Sequence, residues 1–324
     1  MGGGGGSVKA LVIADGSLSL EERPTPEPAA DQVVVEVAGA GVNRADLLQV
    51  RGAYAAPPGW PEDVPGLEFS GTVAARGPGS RWIGDGDKVF GIAGGGAHAT
   101  HLLVQESLCA PLPDGLDPVT AGGIPEVFVT AFDALVTQAH LKPGERVLIH
   151  GAGSGVGTAA LQIVRAIGAS SVGTARTPGK LERARELGLD AGVVASDDMA
   201  GAIGEVDVVL DLVGGDYLSI DTAVCRPRGR ILIVGLLAGA EARLDMGSVL
   251  RKRLTVFGTV LRSRPEHEKA AAMADFARSV VPLLADGRLR PVIERIVPLD
   301  RAQEAYSFLH LNSTFGKVVL SAEG

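Results

Sequence analysis

From residue 146 onward the hydrophobic pattern alternates between two periods. Val147-Leu148-Ile149 is a short, wholly apolar run of the kind made by a strand buried on both faces. Glycines at 151, 153, 155 and 157 follow, and then Ala160, Leu161, Ile163, Val164 and Ile167 recur at helical spacing, with Gly168 where a C-cap belongs. The alternation continues with a strand over 171–175, a helix over 180–187 ended by Gly188, and β-branched runs over 206–213 and 230–237 around a helical segment at 216–225. Residues 8 to 120 have another texture. Short strands over 32–37, 71–75, 88–92 and 101–104 are separated by Gly, Pro and Asp turns such as Gly84-Asp85-Gly86-Asp87. Near the end, 289–298 and 316–321 again look like strands, with a helix over 300–309 between them and Asp300 as its expected N-cap. The C-terminus is therefore expected to return to the first domain.

Strand, glycine turn, helix is how a Rossmann unit presents backbone N–H groups and a helix N-terminus to a pyrophosphate. The turn Gly151-Ala152-Gly153-Ser154-Gly155-Val156-Gly157 fits G-x-G-x-x-G imperfectly. Taking Gly157 as the last glycine puts Ala152 and Ser154 in the first two places. The repeated units that follow strengthen the reading, because successive βα units imply an α/β, doubly wound parallel sheet. Its ligand would lie at the carboxyl ends of the strands, beside 211–215 and Gly235-Leu236-Leu237. An NAD-preferring site carries an acid at the end of the second strand, for the ribose 2′-hydroxyl. Here Ala175 is followed by Arg176, with Lys180 one turn on and no carboxylate between. Two cations suit a 2′-phosphate, so the expected cofactor is NADPH; the plainer alternative is two solvated surface charges.

Composition narrows the field. The 324 residues, 46% of them hydrophobic, suffice for two cores. A net charge of −8 without a basic stripe gives no indication of nucleic-acid or anionic-membrane binding. No apolar run approaches the roughly 20 residues that span a bilayer. The opening MGGGGGSVKALV has no apolar signal region, and its polyglycine is expected to be a disordered tail. Cys109 and Cys225 make no framework, which predicts a reduced, cytoplasmic protein.

Several segments together carry a resemblance: GVNRADLLQVRGAY at 41–54, PGLEFSGTV at 65–73, GDKVFGI at 86–92, IPEVFVTAFDAL at 124–135, LKPGERVLIHGAGSGVGTAALQ at 141–162 and RKRLTVFGTVLRSR at 251–264. In this order they resemble the medium-chain dehydrogenases/reductases, in the zinc-free quinone oxidoreductase (zeta-crystallin-like) branch. The resemblance implies a Rossmann domain at 123–264 inserted in a β-rich GroES-like catalytic domain made of 1–122 and 265–324. Zinc members carry Cys where this chain has Asn43 and His where it has Leu67, together with a four-cysteine loop that has no counterpart here. Zn²⁺ needs three or four ligands at short spacing, so no metal is expected, and His98 and His101 are read as surface or cleft-lining.

Without a metal, the expected acceptors are quinones or α,β-unsaturated carbonyls, whose reduction gives an already delocalised oxyanion or enolate. Tyr54 resembles a tyrosine that relatives place beside the nicotinamide. It either hydrogen-bonds the substrate and delivers a proton, or only stacks on the cofactor. Asn43 either bonds near the substrate or sets the turn in GVN. Glu126, Val129 and Thr130 are implied along the cofactor, with Thr130 at the nicotinamide; Val129 reads equally well as core. Gly235, Leu236 and Leu237 would offer backbone to the carboxamide, and Phe315-Gly316-Lys317 would close the cofactor site. Two departures stand out: Ala195 replaces a tyrosine near the adenosine phosphate, and His98 and His101 replace aromatic residues. The run 254–261 reads as a sheet-edge strand through which relatives pair as homodimers; the alternative is an edge covered within the monomer. The leading function is an NADPH-dependent quinone oxidoreductase. An enoyl reductase of polyketide-type biosynthesis is the close alternative, and a non-catalytic NADPH-binding module is the reading from another class.

Overall fold

The computed structural model describes residues 6–196 and 198–322. Apart from Gly6, the polyglycine falls outside the described residues. The chain divides into two compact units, one running to Val129 and resuming at Leu261, the other Thr130–Val260.

The second unit is a six-stranded, all-parallel sheet with helices between its strands. Its order is Ala191–Val194, Ser170–Ala175, Arg146–His150, Val206–Asp211, Cys225–Ile233 and Thr255–Gly258. The central strands read apolar on both faces because both faces are covered: Val147, Leu148, Ile149, Val208, Val209 and Leu210 are fully buried. The helix Gly155–Ile167 ends as its pattern implies, with Gly168 left-handed at φ 83°. Elsewhere the boundaries move. The second helix is Pro178–Arg185, Pro178 entering at its first turn, and it stops short of Gly188. The fifth strand ends at Ile233, so Gly235–Leu237 lie in the loop beyond it. The edge strand expected over 254–261 is only Thr255–Gly258, its last ladder bond running from the Thr259 amide to the Ile233 carbonyl.

The first unit holds a two-stranded hairpin, Ser7–Ala14 with Ser17–Pro24, and a seven-stranded sheet. The C-terminus returns as expected: Lys317–Ser321 pairs antiparallel with Gln32–Val42, and Ile293–Pro298 runs parallel to it on the far side. Among the elements that escaped the pattern are the hairpin and the helices Arg44–Val50, Pro125–Phe132 and Glu266–Ser279. Asp300 is not an N-cap. It lies inside a 3-10 turn, Leu299–Arg301, that leads into the helix Ala302–His310.

Register in this sheet sets the site. Gly39 faces Ser70 and Val42 faces Val318. Continuing those registers sets Glu68 beside Gly41 on one flank of the central strand, and Lys317 beside Asn43 on the other. A Cβ at position 41 would stand 2.2 Å from Glu68 Oε1, so only glycine lets the carboxylate cross there.

Candidate active site

Within the first unit, Glu68 is fully buried and Lys317 nearly so, and their charges meet at 2.6 Å. All three ammonium donors of Lys317 are engaged: Glu68 Oε1, the Val42 carbonyl at 2.9 Å and Asn43 Oδ1 at 2.7 Å. A cation so enclosed has no donor left for a phosphate, so Lys317 serves the interior of this unit and not, through its charge, a cofactor. Asn43 bridges the pair. Its Nδ2 donates to Glu68 Oε1 at 3.0 Å and to the Gly41 carbonyl at 3.2 Å, while its oxygen accepts from Lys317. Asn43 is also the N-cap position of Arg44–Val50, and its amide donates to Asp46 Oδ2 at 2.7 Å. Asp46 Oδ1 accepts the Gly66 amide, which ties the PGLE loop to the same helix start. Glu68 Oε2 accepts the amide of Glu126, at the start of the helix Pro125–Phe132. One buried carboxylate thus joins four segments of chain. Buried charges persist when each is paired and hydrogen-bonded in this way.

Tyr54 lies in the loop after that first helix, half-buried. The guanidinium of Arg262 stacks over its ring at 5.0 Å. Arg262 is almost wholly buried and donates to the carbonyls of Gly94 and Tyr54 and to Gln49 Oε1, so it holds the loop from beneath. Among the described residues no hydrogen bond reaches the Tyr54 hydroxyl. Burial raises its pKa above the ordinary phenol value, opposed by Arg262. Lys269 stacks on Trp60 at 5.4 Å nearby in the same unit.

His98 corrects an expectation. It is fully buried, not surface or cleft-lining, with Nε2 3.2 Å from the Gly41 carbonyl and Nδ1 2.9 Å from the Tyr306 hydroxyl. The carbonyl can only accept, so Nε2 carries the proton and Nδ1 accepts from Tyr306; desolvation lowers its pKa and keeps it neutral. His101 is half-buried on the strand His101–Gln105. Among the described residues no group of three or more His, Cys, Asp or Glu side chains is placed to hold a metal ion.

In the second unit, the turn after Arg146–His150 is built as a phosphate cradle. Ser154 caps the helix, its hydroxyl accepting the Gly157 amide at 3.0 Å. The first-turn amides of Gly155 and Val156 have no intrahelical acceptor and point outward from the helix start. A Cβ at Gly157 would stand 2.4 Å from the Gly151 carbonyl oxygen, so the turn closes only around glycine. Gly151 itself is left-handed at φ 70°, and Ala152 and Gly153 complete the loop. Arg176 is exposed directly after the neighbouring strand, and Lys180 sits in the first turn of Pro178–Arg185. Gly235 packs against backbone, its amide bonded to the Asp211 carbonyl, and Leu236 and Leu237 are exposed. Thr130 is half-buried on Pro125–Phe132, where Val129 is core. Donors, shape and cations therefore fit a dinucleotide.

Glu68 and Arg262 were not singled out from the sequence, although each had a signal: a buried acid opening the strand Glu68–Arg76 right after Leu67, and an arginine closing VLR after a β-branched run.

A parallel dinucleotide-type sheet combined with a β-rich unit that carries a polar cluster defines a two-unit, dinucleotide-binding class. Comparison agrees. Residues 29–114 match the alcohol dehydrogenase GroES-like domain family and residues 155–278 the zinc-binding dehydrogenase family. The chain is 32% identical to the quinone oxidoreductase of Lama guanicoe, over 91% of this chain and 90% of that one. It is 35% identical, over 98% of its length, to the spectinabilin polyketide synthase system protein NorB of Streptomyces orinoci, of which it spans only 14%. The solved CurK enoyl reductase is 26% identical with a TM-score of 0.82, covering 97% of this chain and 99% of that one. The chain belongs to the medium-chain dehydrogenase/reductase family and is a nicotinamide-binding oxidoreductase.

Proposed function

We propose that the protein is an NADPH-dependent reductase of quinones that works without a metal. The observation that supports this most directly is the Asn43–Lys317–Glu68 cluster. Where zinc members have a cysteine ligand, this chain has an amide engaged on both sides, beside a built-in ammonium. Such a site suits acceptors whose reduced form spreads its own charge. Bound NADPH supplies the hydride. The residues of the chain bind, orient and move protons. The loop 151–157 and the first turn of Gly155–Ile167 hold the pyrophosphate, Arg176 and Lys180 take the 2′-phosphate, and the 235–237 backbone and Thr130 meet the nicotinamide end. Tyr54 offers its uncommitted hydroxyl to the acceptor oxygen. In this reading residues 1–122 with 265–324 form the catalytic domain and 123–264 the cofactor domain, and two copies pair through the Thr255–Gly258 edge.

The likeness to NorB and CurK favours a second reading, enoyl reduction, with a conjugated carbonyl or thioester as acceptor. NADPH oxidation, followed by the nicotinamide absorbance against a panel of quinones and enoyl thioesters with NADH in parallel, separates the two. Turnover of quinones alone supports the first reading, and preference for thioesters the second. Binding of NADPH with no turnover would make the protein a non-catalytic module and overturn both.

A further inference from the structure

Glu126 is the group in the cluster whose chemistry the network does not use. It lies at the start of Pro125–Phe132, fixed there by the bond from its amide to Glu68. The residue is half-buried, and among the described residues no hydrogen bond or ion pair reaches its carboxyl. The charges and ionisable groups around it are the carboxylates of Glu68 and Asp46, the ammonium groups of Lys317 and Lys269, the guanidinium of Arg262 and the phenol of Tyr54. Two of these cations are already committed, Lys317 to Glu68 and Arg262 to Gln49 and two carbonyls. Burial, reinforced by the negative charge of Glu68, therefore raises the Glu126 carboxyl from its ordinary 4.5 to about 8. A carboxylic acid that keeps its proton at neutral pH and has no partner to hold that proton is suited to general-acid work.

The other acids of the cluster are poorer candidates. Asp46 accepts two amides and is fully buried. Tyr54, raised above the ordinary phenol value, needs a stronger acid to reload it.

We propose that Glu126 is the proton donor of this site. Once a hydride has added to the acceptor, the Glu126 O–H bond breaks and its proton bonds to the resulting oxyanion or enolate, directly or through the Tyr54 hydroxyl. The carboxylate left behind takes a proton from water. The hydride brings both electrons from the reduced nicotinamide, the acceptor gains one hydride and one proton, and the oxidised nicotinamide leaves. The inference rests on the reductase reading above.

The test is Glu126→Gln, which keeps the shape and removes the acid. In the wild type, acceptor reduction at saturating NADPH should fall as pH rises through about 8. In the variant, turnover should drop about a hundredfold and this alkaline limb should vanish, with NADPH affinity by fluorescence titration unchanged. A second readout needs no cofactor. A raised carboxyl makes the folded chain bind an extra proton between the ordinary pKa and the raised one. The urea midpoint of the wild type should therefore fall as pH rises from about 5 to about 8, and in Glu126→Gln this slope should shrink, most clearly between about 6 and 8, above the raised Asp221 carboxyl. Should that variant fold poorly, Glu126→Asp must turn over more slowly while keeping an alkaline limb. A Glu126→Gln enzyme with wild-type rate and pH profile overturns the inference alone. A wild type that reduces neither quinones nor enones overturns the reductase reading, whatever the urea midpoints show.

Discussion

Lys317→Met isolates the buried ion pair. Methionine matches the length of the lysine stem, so packing is largely kept while the ammonium goes. What is left is a carboxylate at Glu68 with no exposed surface, an Asn43 oxygen and a Val42 carbonyl that have each lost a donor, and two remaining donors to Glu68, from Asn43 and the Glu126 amide. Breaking one side of a buried pair costs about 3–5 kcal/mol. For a unit of this size each kcal/mol lowers the melting temperature by roughly 2–4 °C, so a fall on the order of 10 °C is expected. Glu68→Gln should cost about as much, because the ammonium then lacks its carboxylate. The pair Lys317→Met with Glu68→Gln removes both charges and should cost far less than the sum, giving a coupling on the order of 2–3 kcal/mol. Urea melts of the wild type, both single variants and the double variant measure this directly. Additive effects, or single variants within about 1 kcal/mol of wild type, would refute the view that these charges support one another.

Two further predictions concern the chemistry. Arg176→Ala with Lys180→Ala should raise the KM for NADPH and leave that for NADH nearly untouched; equal losses would remove the 2′-phosphate assignment. Tyr54→Phe should slow enone reduction more than quinone reduction, because a hydroquinone oxyanion needs less help from a donor than an enolate does. Equal, small losses would leave the ring a packing surface beneath which Arg262 sits.

What was legible in the sequence was local. The strand before Gly151, the helix after it and the Gly168 cap all follow from residues within one turn of each other, and the structure shows each of them. The absence of an acid after Ala175 is equally local. The polar cluster was not legible, because Lys317 meets Asn43 across 274 residues through strand register alone. Nothing near Lys317 says which charge it will neutralise. Asn43 was noticed as a substitution at a ligand position, yet its partners lie on two other strands. The N-cap at Asp300 failed for a smaller reason: a 3-10 turn came between the strand and the helix, moving the start from the residue with capping chemistry to Arg301.

Register also decides what would follow from restoring zinc-type residues. Asn43→Cys with Leu67→His would restore the two ligand types of the zinc members, which with the Glu68 carboxylate next in sequence makes three groups of the kind Zn²⁺ accepts. The Lys317 ammonium, however, stays 2.6 Å from that carboxylate and in reach of position 43. A divalent ion about 4 Å from an ammonium meets a repulsion of about 8 kcal/mol at an effective dielectric of about 20, enough to cancel much of the affinity of a three-ligand site. The double variant should therefore bind zinc weakly in a competition with a chelating dye. Adding Lys317→Met should strengthen binding by several orders of magnitude, because the same change removes the repulsion and frees the carboxylate. Equal zinc affinity with and without Lys317 would show that the ammonium does not hold the place of a metal, and the strongest support for metal-free chemistry would fall with it.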